Sequence, residues 1–154
     1  MTDPYAAALP AAFQFDVVID DQAGAHETAF REVSGIESEI EVEAVVEGGE
    51  NRFVHQLPKG VKHQRLVLKR GVAGEGNALL AWCRRVFEEA LALPIVPRRV
   101  QVRLLDADGV PLRAWTFMGA YPVKWSVDAL QSSRSEVAIE SIELAYTALS
   151  RDRL

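Results

Sequence analysis

The chain has 154 residues, 49% of them hydrophobic and 25% charged, the balance of an ordinary globular protein, and its length suits one domain. Its 17 Lys and Arg against 22 Asp and Glu give a formal net charge of −5, with both signs spread along the sequence, which argues against non-specific nucleic-acid binding. Cys83 is the only cysteine, so neither an intramolecular disulfide nor a thiolate zinc cluster can be built.

Asp3 stands where a secretory signal carries positive charge, and Pro10 interrupts the apolar stretch 6–12. The start therefore does not read as a signal peptide, and residues 1–12 are expected to form a flexible N-terminal segment. No apolar run approaches the ~20 residues that cross a bilayer. Synthesis in the cytoplasm without membrane insertion is the expectation.

Phe13, Phe15, Val17 and Ile19 fall at period two and predict a strand over 13–20, followed by a turn at 20–24. A second strand is expected over 29–33. Residues 36–44 alternate Glu37, Glu39, Glu41 and Glu43 with Ile36, Ser38, Ile40, Val42 and Ala44, a period that fits a strand and not a helix. From 47 to 60 the apolar period breaks down, and Gly48, Gly49, Asn51, Pro58 and Gly60 mark a loop or an irregular hairpin arm. Residues 63–71 read as a strand with Leu66 and Leu68 on one face.

Three glycines between 71 and 77 make a flexible turn, and Asn77 can cap a helix. Leu79, Trp82, Cys83, Val86, Phe87 and Ala90 then recur at three- and four-residue spacing on one stripe, with Arg84, Arg85, Glu88 and Glu89 opposite. Pro94 and Pro97 are expected to end this one helix. Strand patterns resume over 99–106, turn at Asp108-Gly109, continue over 112–125 with Pro122 at a bulge or edge, and close over 136–149. The count is six or seven strands and one helix.

Chemistry is hard to place on this pattern. His26, His55 and His63 never meet at the i, i+4 spacing of a helical metal pair; His55 and His63 flank a loop and read as surface or hydrogen-bonded groups. Asp106-Ala107-Asp108-Gly109 opens like a calcium loop, but Pro111 stands where that loop needs glycine. The glycine-rich stretch 71–77 lacks the Lys-Ser/Thr of a phosphate loop, and Glu75 would repel an anion. No Gly-x-Ser-x-Gly elbow exists, and Cys83 lies on the apolar stripe, where a thiol is inert. No catalytic, cofactor-binding or metal site is expected. The aligned glutamates gain nothing for a fold unless they face water, a lumen or basic residues of a partner.

Ten segments stand out along the chain: Phe13-Gln14-Phe15-Asp16-Val17, residues 30–37, Glu47-Gly48-Gly49-Glu50-Asn51, Leu57-Pro58, residues 66–72, Trp82, Leu104-Leu105-Asp106, Trp115-Thr116-Phe117, residues 120–125 and residues 137–144. In order and spacing, they together resemble the T4-like tail tube family, the inner tube proteins of contractile phage tails, and those of extracellular contractile injection systems of the antifeeding-prophage and Photorhabdus virulence cassette type. Two departures fall in the arm: Lys59 separates Leu57-Pro58 from Gly60, and Ala44-Val45-Val46 precede Glu47 where an aromatic or basic residue is common.

The resemblance implies a mainly β fold with one α-helix, a β-barrel or two-sheet tail-tube core shared with haemolysin-coregulated protein. It implies a non-enzymatic structural subunit without cofactor, forming hexameric rings that stack into a hollow conduit. Its partners would be further copies of itself, a contractile sheath protein, baseplate and tube-terminating proteins, and cargo in the lumen, all within a phage-tail-like particle. Residues 36–60 are then expected to reach the neighbouring ring through Ile36, Glu37, Glu39, Glu41, Glu43, Glu47, Gly48, Gly49, Glu50, Asn51, Leu57 and Pro58, because an extended arm repays its ordering entropy only by docking. The alternatives are a tube-initiating or baseplate-adjacent ring of the same machine and a small β-barrel ligand carrier.

Overall fold

Alternating apolar residues build most of the strands, and the structure, a computed structural model, describes residues 14–19, 26–46, 48–49, 54–72, 78–89, 91–133 and 138–154. Phe13, the turn expected at 20–24, the Asn77 cap and Ala90 lie outside the described residues. In chain order the elements are β1 (Gln14–Ile19), β2 (His26–Phe30), β3 (Glu32–Ser34), β4 (Ser38–Val46), β5 (Val54–His63), β6 (Leu66–Gly71), α1 (Ala78–Glu88), β7 (Arg98–Leu105), β8 (Pro111–Val127), β9 (Ile139–Ala145) and β10 (Ala148–Arg151). Among the described residues there are thus ten strands where the pattern suggests six or seven.

The extra strands arise where one apolar run changes partner. The single strand expected over 29–33 is two: β2 pairs with β1, β3 pairs with β6, and the Arg31 amide between them donates to the Lys69 carbonyl at 2.9 Å. The closing run divides likewise into β9 and β10. The 17-residue β8 bends at the same level, at Gly119, whose φ of 64° is left-handed; a Cβ there would lie 2.6 Å from Thr147 Oγ1. The Thr147 amide and hydroxyl both donate to the Met118 carbonyl, at 2.9 and 3.0 Å, and fix this corner.

The two corners fold one ladder into two layers. The first runs β2-β1-β7-β8-β10 on the N-terminal half of β8, and the second runs β8-β9-β6-β3 on its C-terminal half. The ladder is open among the described residues, with β2 and β3 at its ends, so of the two architectures expected it is the two-sheet form that is built and no closed barrel forms. Pro122 sits beside a bulge on the half of β8 that pairs only with β9, an edge position that tolerates its missing amide hydrogen.

Val17, Ile19, Val100, Val102 and Phe117 from the first sheet meet Leu66, Leu68, Ile142 and Leu144 from the second in one core, each almost fully buried. Burial of each such side chain contributes roughly 1.5–3 kcal/mol. Arg70 and Glu140, register partners on that same face, are also buried and form an ion pair at 3.1 Å; Trp125 Nε1 donates to the other Glu140 oxygen at 2.7 Å, and Phe30 lies under the guanidinium.

Helix α1 covers the core with Leu79, Trp82 and Cys83, and Val86 is partly buried beside them. Phe87, expected on the stripe, is exposed: it lies roughly a quarter turn from the stripe's centre, beyond the edge of the core. The helix also stops before Pro94. Its last turn ends at Glu88, and Leu91 takes a left-handed φ of 63°.

Candidate assembly interface

β4 and β5 leave the body as a two-stranded ribbon that, among the described residues, pairs with no other strand. Every residue of β4 is exposed, and so is β5 up to its last residue. Of the two sequence readings of 47–60, a loop or an irregular hairpin arm, the hairpin is the one built; only the start of the strand expected at 63 is corrected, since Val54–His63 is a strand with one bulge, broken from β6 at Gln64 and Arg65. Pro58 and Gly60 hide it in the pattern. Lys59, the residue that departs from the family motif, is accommodated in a bulge, for Gly60 pairs with Glu41 while Pro58 pairs with Val42.

Directly paired residues share a face of the ribbon, so the register sorts its side chains. One face carries Ile40 with Val61, Val42 with Pro58, Ala44 with Gln56 and Val46 with Val54. Ile40, Val42, Val46, Val54 and Val61 are 54–71% exposed. The other face carries Glu39 with Lys62, Glu41 with Gly60, Glu43 with Leu57 and Val45 with His55. Lys62 Nζ reaches both Glu39 and Glu41 at 3.6 Å, exposed contacts worth little in stability.

The base of the ribbon is tied to the second sheet. The Tyr146 hydroxyl proton is shared between the carbonyls of Gly35 and Glu37, at 3.2 and 3.3 Å, and its ring stands edge-on to the buried Phe117, with centroids 4.8 Å apart. The His63 ring packs 4.9 Å from the Tyr146 ring, while its Nδ1 lies 3.1 Å from Ser38 Oγ and 3.3 Å from the Glu37 carbonyl. Burial, above all, pushes the Tyr146 hydroxyl above the ordinary phenol range.

Of the residues expected at an interface, Glu39, Glu41, Glu43 and Leu57 lie on the charged face and Pro58 on the apolar one. Gly48 and Gly49 form the turn at the tip. Glu37 belongs to the base, and Ile36 packs partly against the core. Glu47, Glu50 and Asn51 lie outside the described residues. Sequence reasoning missed the apolar partners Val54 and Val61 and the tie through Tyr146 and His63; the alternation of Ile40 and Val42 between glutamates was the available signal for the apolar face.

The other motifs are occupied locally. His55 and His63 stand at opposite ends of β5, about 25 Å apart at strand rise. Asp106 Oδ1 accepts from the amides of Asp108 and Val110, both at 2.9 Å, closing the β7–β8 turn. Cys83 is buried. Among the described residues no cluster of His, Cys, Asp or Glu could hold a metal ion, and no helix is long and apolar enough to cross a membrane.

The described geometry is an exposed amphipathic ribbon on a two-sheet body. The model of the T4-like virus tail tube protein gp19 family matches residues 11–150. The chain belongs to this family. No curated protein matches its sequence.

Among solved structures, this tail tube family member is 28% identical to a chain in the six-fold symmetrised baseplate of the anti-feeding prophage, covering 98% of this chain and 97% of that one with a TM-score of 0.74. It shares its fold with a chain of the sheath-tube complex of the extracellular contractile injection system PVC in the extended state, at 16% identity, full coverage of both chains and a TM-score of 0.75. It also shares it with Hcp1 from Flavobacterium johnsoniae, at 14% identity, 89% and 93% coverage and a TM-score of 0.56.

Proposed function

We propose that this chain is the inner tube subunit of a contractile injection particle, a non-enzymatic structural protein whose hexameric rings stack into a hollow conduit for cargo. The observation that carries the reading is the β4–β5 ribbon, whose apolar face stands in solvent on the single chain. An isolated two-stranded hairpin is marginal in water, so this one is stabilised by covering that face. The expected contact of residues 36–60 with the neighbouring ring supplies the cover. The glutamate face is left for solvent or for a basic partner.

Membership of the tail tube family supports the tube, and likeness to chains from a six-fold baseplate and a sheath-tube complex supports six-fold rings, a sheath around them and a baseplate at one end. The particle is assembled from subunits made in the cytoplasm. A second reading, a tube-initiating or baseplate-adjacent ring, is favoured by the 28% identity to a chain from a baseplate.

Mass in solution, for the protein alone and co-expressed with the products of neighbouring genes, tests the assembly. A tube subunit gives species of six chain masses, each 17.0 kDa, or multiples of six. A chain that stays monomeric in both preparations contradicts it.

A further inference from the structure

We propose that His63 is a pH-sensitive latch at the root of the β4–β5 ribbon: the imidazolium fastens the end of β5 to the start of β4, and the neutral ring releases part of that hold. The device belongs to the single chain and stands apart from the tube reading.

The ring sits where the ribbon leaves the body. His63 is the last residue of β5 and pairs in register with Ser38, the first residue of β4. Its Nδ1 lies 3.1 Å from Ser38 Oγ and 3.3 Å from the Glu37 carbonyl, so one nitrogen faces a hydroxyl, which donates or accepts, and a carbonyl, which only accepts. A neutral ring protonated on Nε2 accepts the Ser38 hydroxyl at Nδ1 and turns a lone pair toward the Glu37 carbonyl. Protonated on Nδ1, it offers one uncharged donor to two oxygens. The imidazolium always presents a proton at Nδ1, and a charged donor binds about twice as strongly as a neutral one.

The surrounding charges favour the same state. His63 lines an open cleft of about 410 Å³ together with Glu37 and Glu39, its neighbour Lys62, Arg65 just before β6 and Glu143 of β9. Lys62 pairs with Glu39 and Arg65 with Glu143, whereas the Glu37 carboxylate has no ion-pair partner among the described residues. The remaining titratable group, Tyr146, lays its ring beside the imidazole and stays uncharged at neutral pH. A positive charge on His63 therefore enters a cleft that holds one carboxylate more than it holds cations.

Imidazole is the side chain whose ordinary titration falls between about pH 5 and pH 8. A proton bound more tightly with the latch closed stabilises the closed form at low pH, and that contribution is lost as pH rises through the titration. What it governs is the direction of the ribbon. β4 and β5 pair with no other strand among the described residues, so their orientation is set at this root.

Hydrogen exchange of the unassembled full chain tests the latch. It is followed by mass spectrometry from about pH 8 to pH 5.5, normalised to the intrinsic rate at each pH, with mass in solution checked at each step. Residues 38–42 and 58–63 are expected to gain protection about threefold as pH falls, the step from a neutral to a charged hydrogen bond at a partly exposed site, while β7 stays unchanged. His63→Phe keeps a ring beside Tyr146 but neither titrates nor hydrogen-bonds, and should abolish the gain. His55→Gln, at the far end of β5, should leave it intact. Wild-type protection that ignores pH overturns the latch, as does a gain that survives His63→Phe or disappears in His55→Gln. If His63→Phe does not fold, Glu37→Gln decides: this exposed substitution leaves the ring in place and should shrink the gain, and an undiminished gain overturns the latch. None of these outcomes depends on whether particles form, so the tube reading stands or falls separately.

Discussion

The Tyr146 hydroxyl and the Glu37 carbonyl meet at 3.3 Å across 109 residues of chain, which ties the base of the β4–β5 ribbon to the corner between β9 and β10. The same hydroxyl proton is shared with the Gly35 carbonyl at 3.2 Å, and the His63 ring lies beside the Tyr146 ring, tilted 37° to it. An arm that must meet a second subunit in one orientation gains from a stiff root, since its ordering entropy is then partly spent before docking.

Tyr146→Phe removes this shared hydrogen bond and keeps the ring against Phe117. The expected loss is about 1 kcal/mol, a typical net value for such hydrogen bonds. Amide exchange should quicken first in residues 38–46 and 54–63, with the core strands little changed. Unaltered exchange in the ribbon would show that its root is held by something else.

Much of the body was readable from period alone. Val17 with Ile19, Val100 with Val102, and Leu66 with Leu68 sit on the core face as alternation requires, and the helix buries Leu79, Trp82 and Cys83. Local pattern failed where the decisive partner was distant. Arg31 switches a run from one sheet to the other through a bond to Lys69, and Tyr146 reaches Gly35, contacts that no window of a dozen residues contains. In the ribbon the failure was compositional: Pro58, Lys59 and Gly60 look like loop, yet a two-stranded ribbon has free edges and a bulge to absorb them. The glutamates were visible, whereas the exposed apolar face depended on the register with β5.

Trp82 is buried at the centre of the helix stripe, with the Arg98 guanidinium 5.6 Å from its ring. Trp82→Ala should cost ~3–5 kcal/mol of stability, the range for emptying a large aromatic site. Phe87→Ala, at an exposed rim position, should cost far less. Chemical denaturation of the two variants checks the contrast, and equal losses would contradict the placement of the helix.

Asp152 follows β10, and its Oδ2 accepts from Thr116 Oγ1 and Gln101 Nε2, both at 2.7 Å. The Thr116 hydroxyl first, then Gln101 and the charge of Arg99, hold this carboxyl below the ordinary range against the opposing effect of burial. A depressed acid stabilises the fold above the unfolded value of about 3.9, and that contribution fades as pH falls through the folded value. Asp152→Asn should therefore melt below wild type at neutral pH, with the gap narrowing in acid. A gap that stays constant from pH 7 to pH 3 would sink the assignment.

At the tip of the ribbon Gly49 has φ 99°, a conformation that valine resists, and a Cβ at either Gly48 or Gly49 meets nothing within 4 Å. Replacing both with Val should distort the tip without touching the core. The expected outcome is a monomer melting within a degree or two of wild type that no longer forms tubes. Normal tubes from the double variant would mean that the tip takes no part in assembly.

The central claim is that this chain builds a stacked, six-fold conduit, and electron microscopy of the protein, alone and co-expressed with the products of neighbouring genes, tests it most directly. The account predicts six-fold rings stacked into hollow tubes. Rings that never stack would transfer the chain to an initiating or baseplate position, and particles without six-fold symmetry in both preparations would contradict the account.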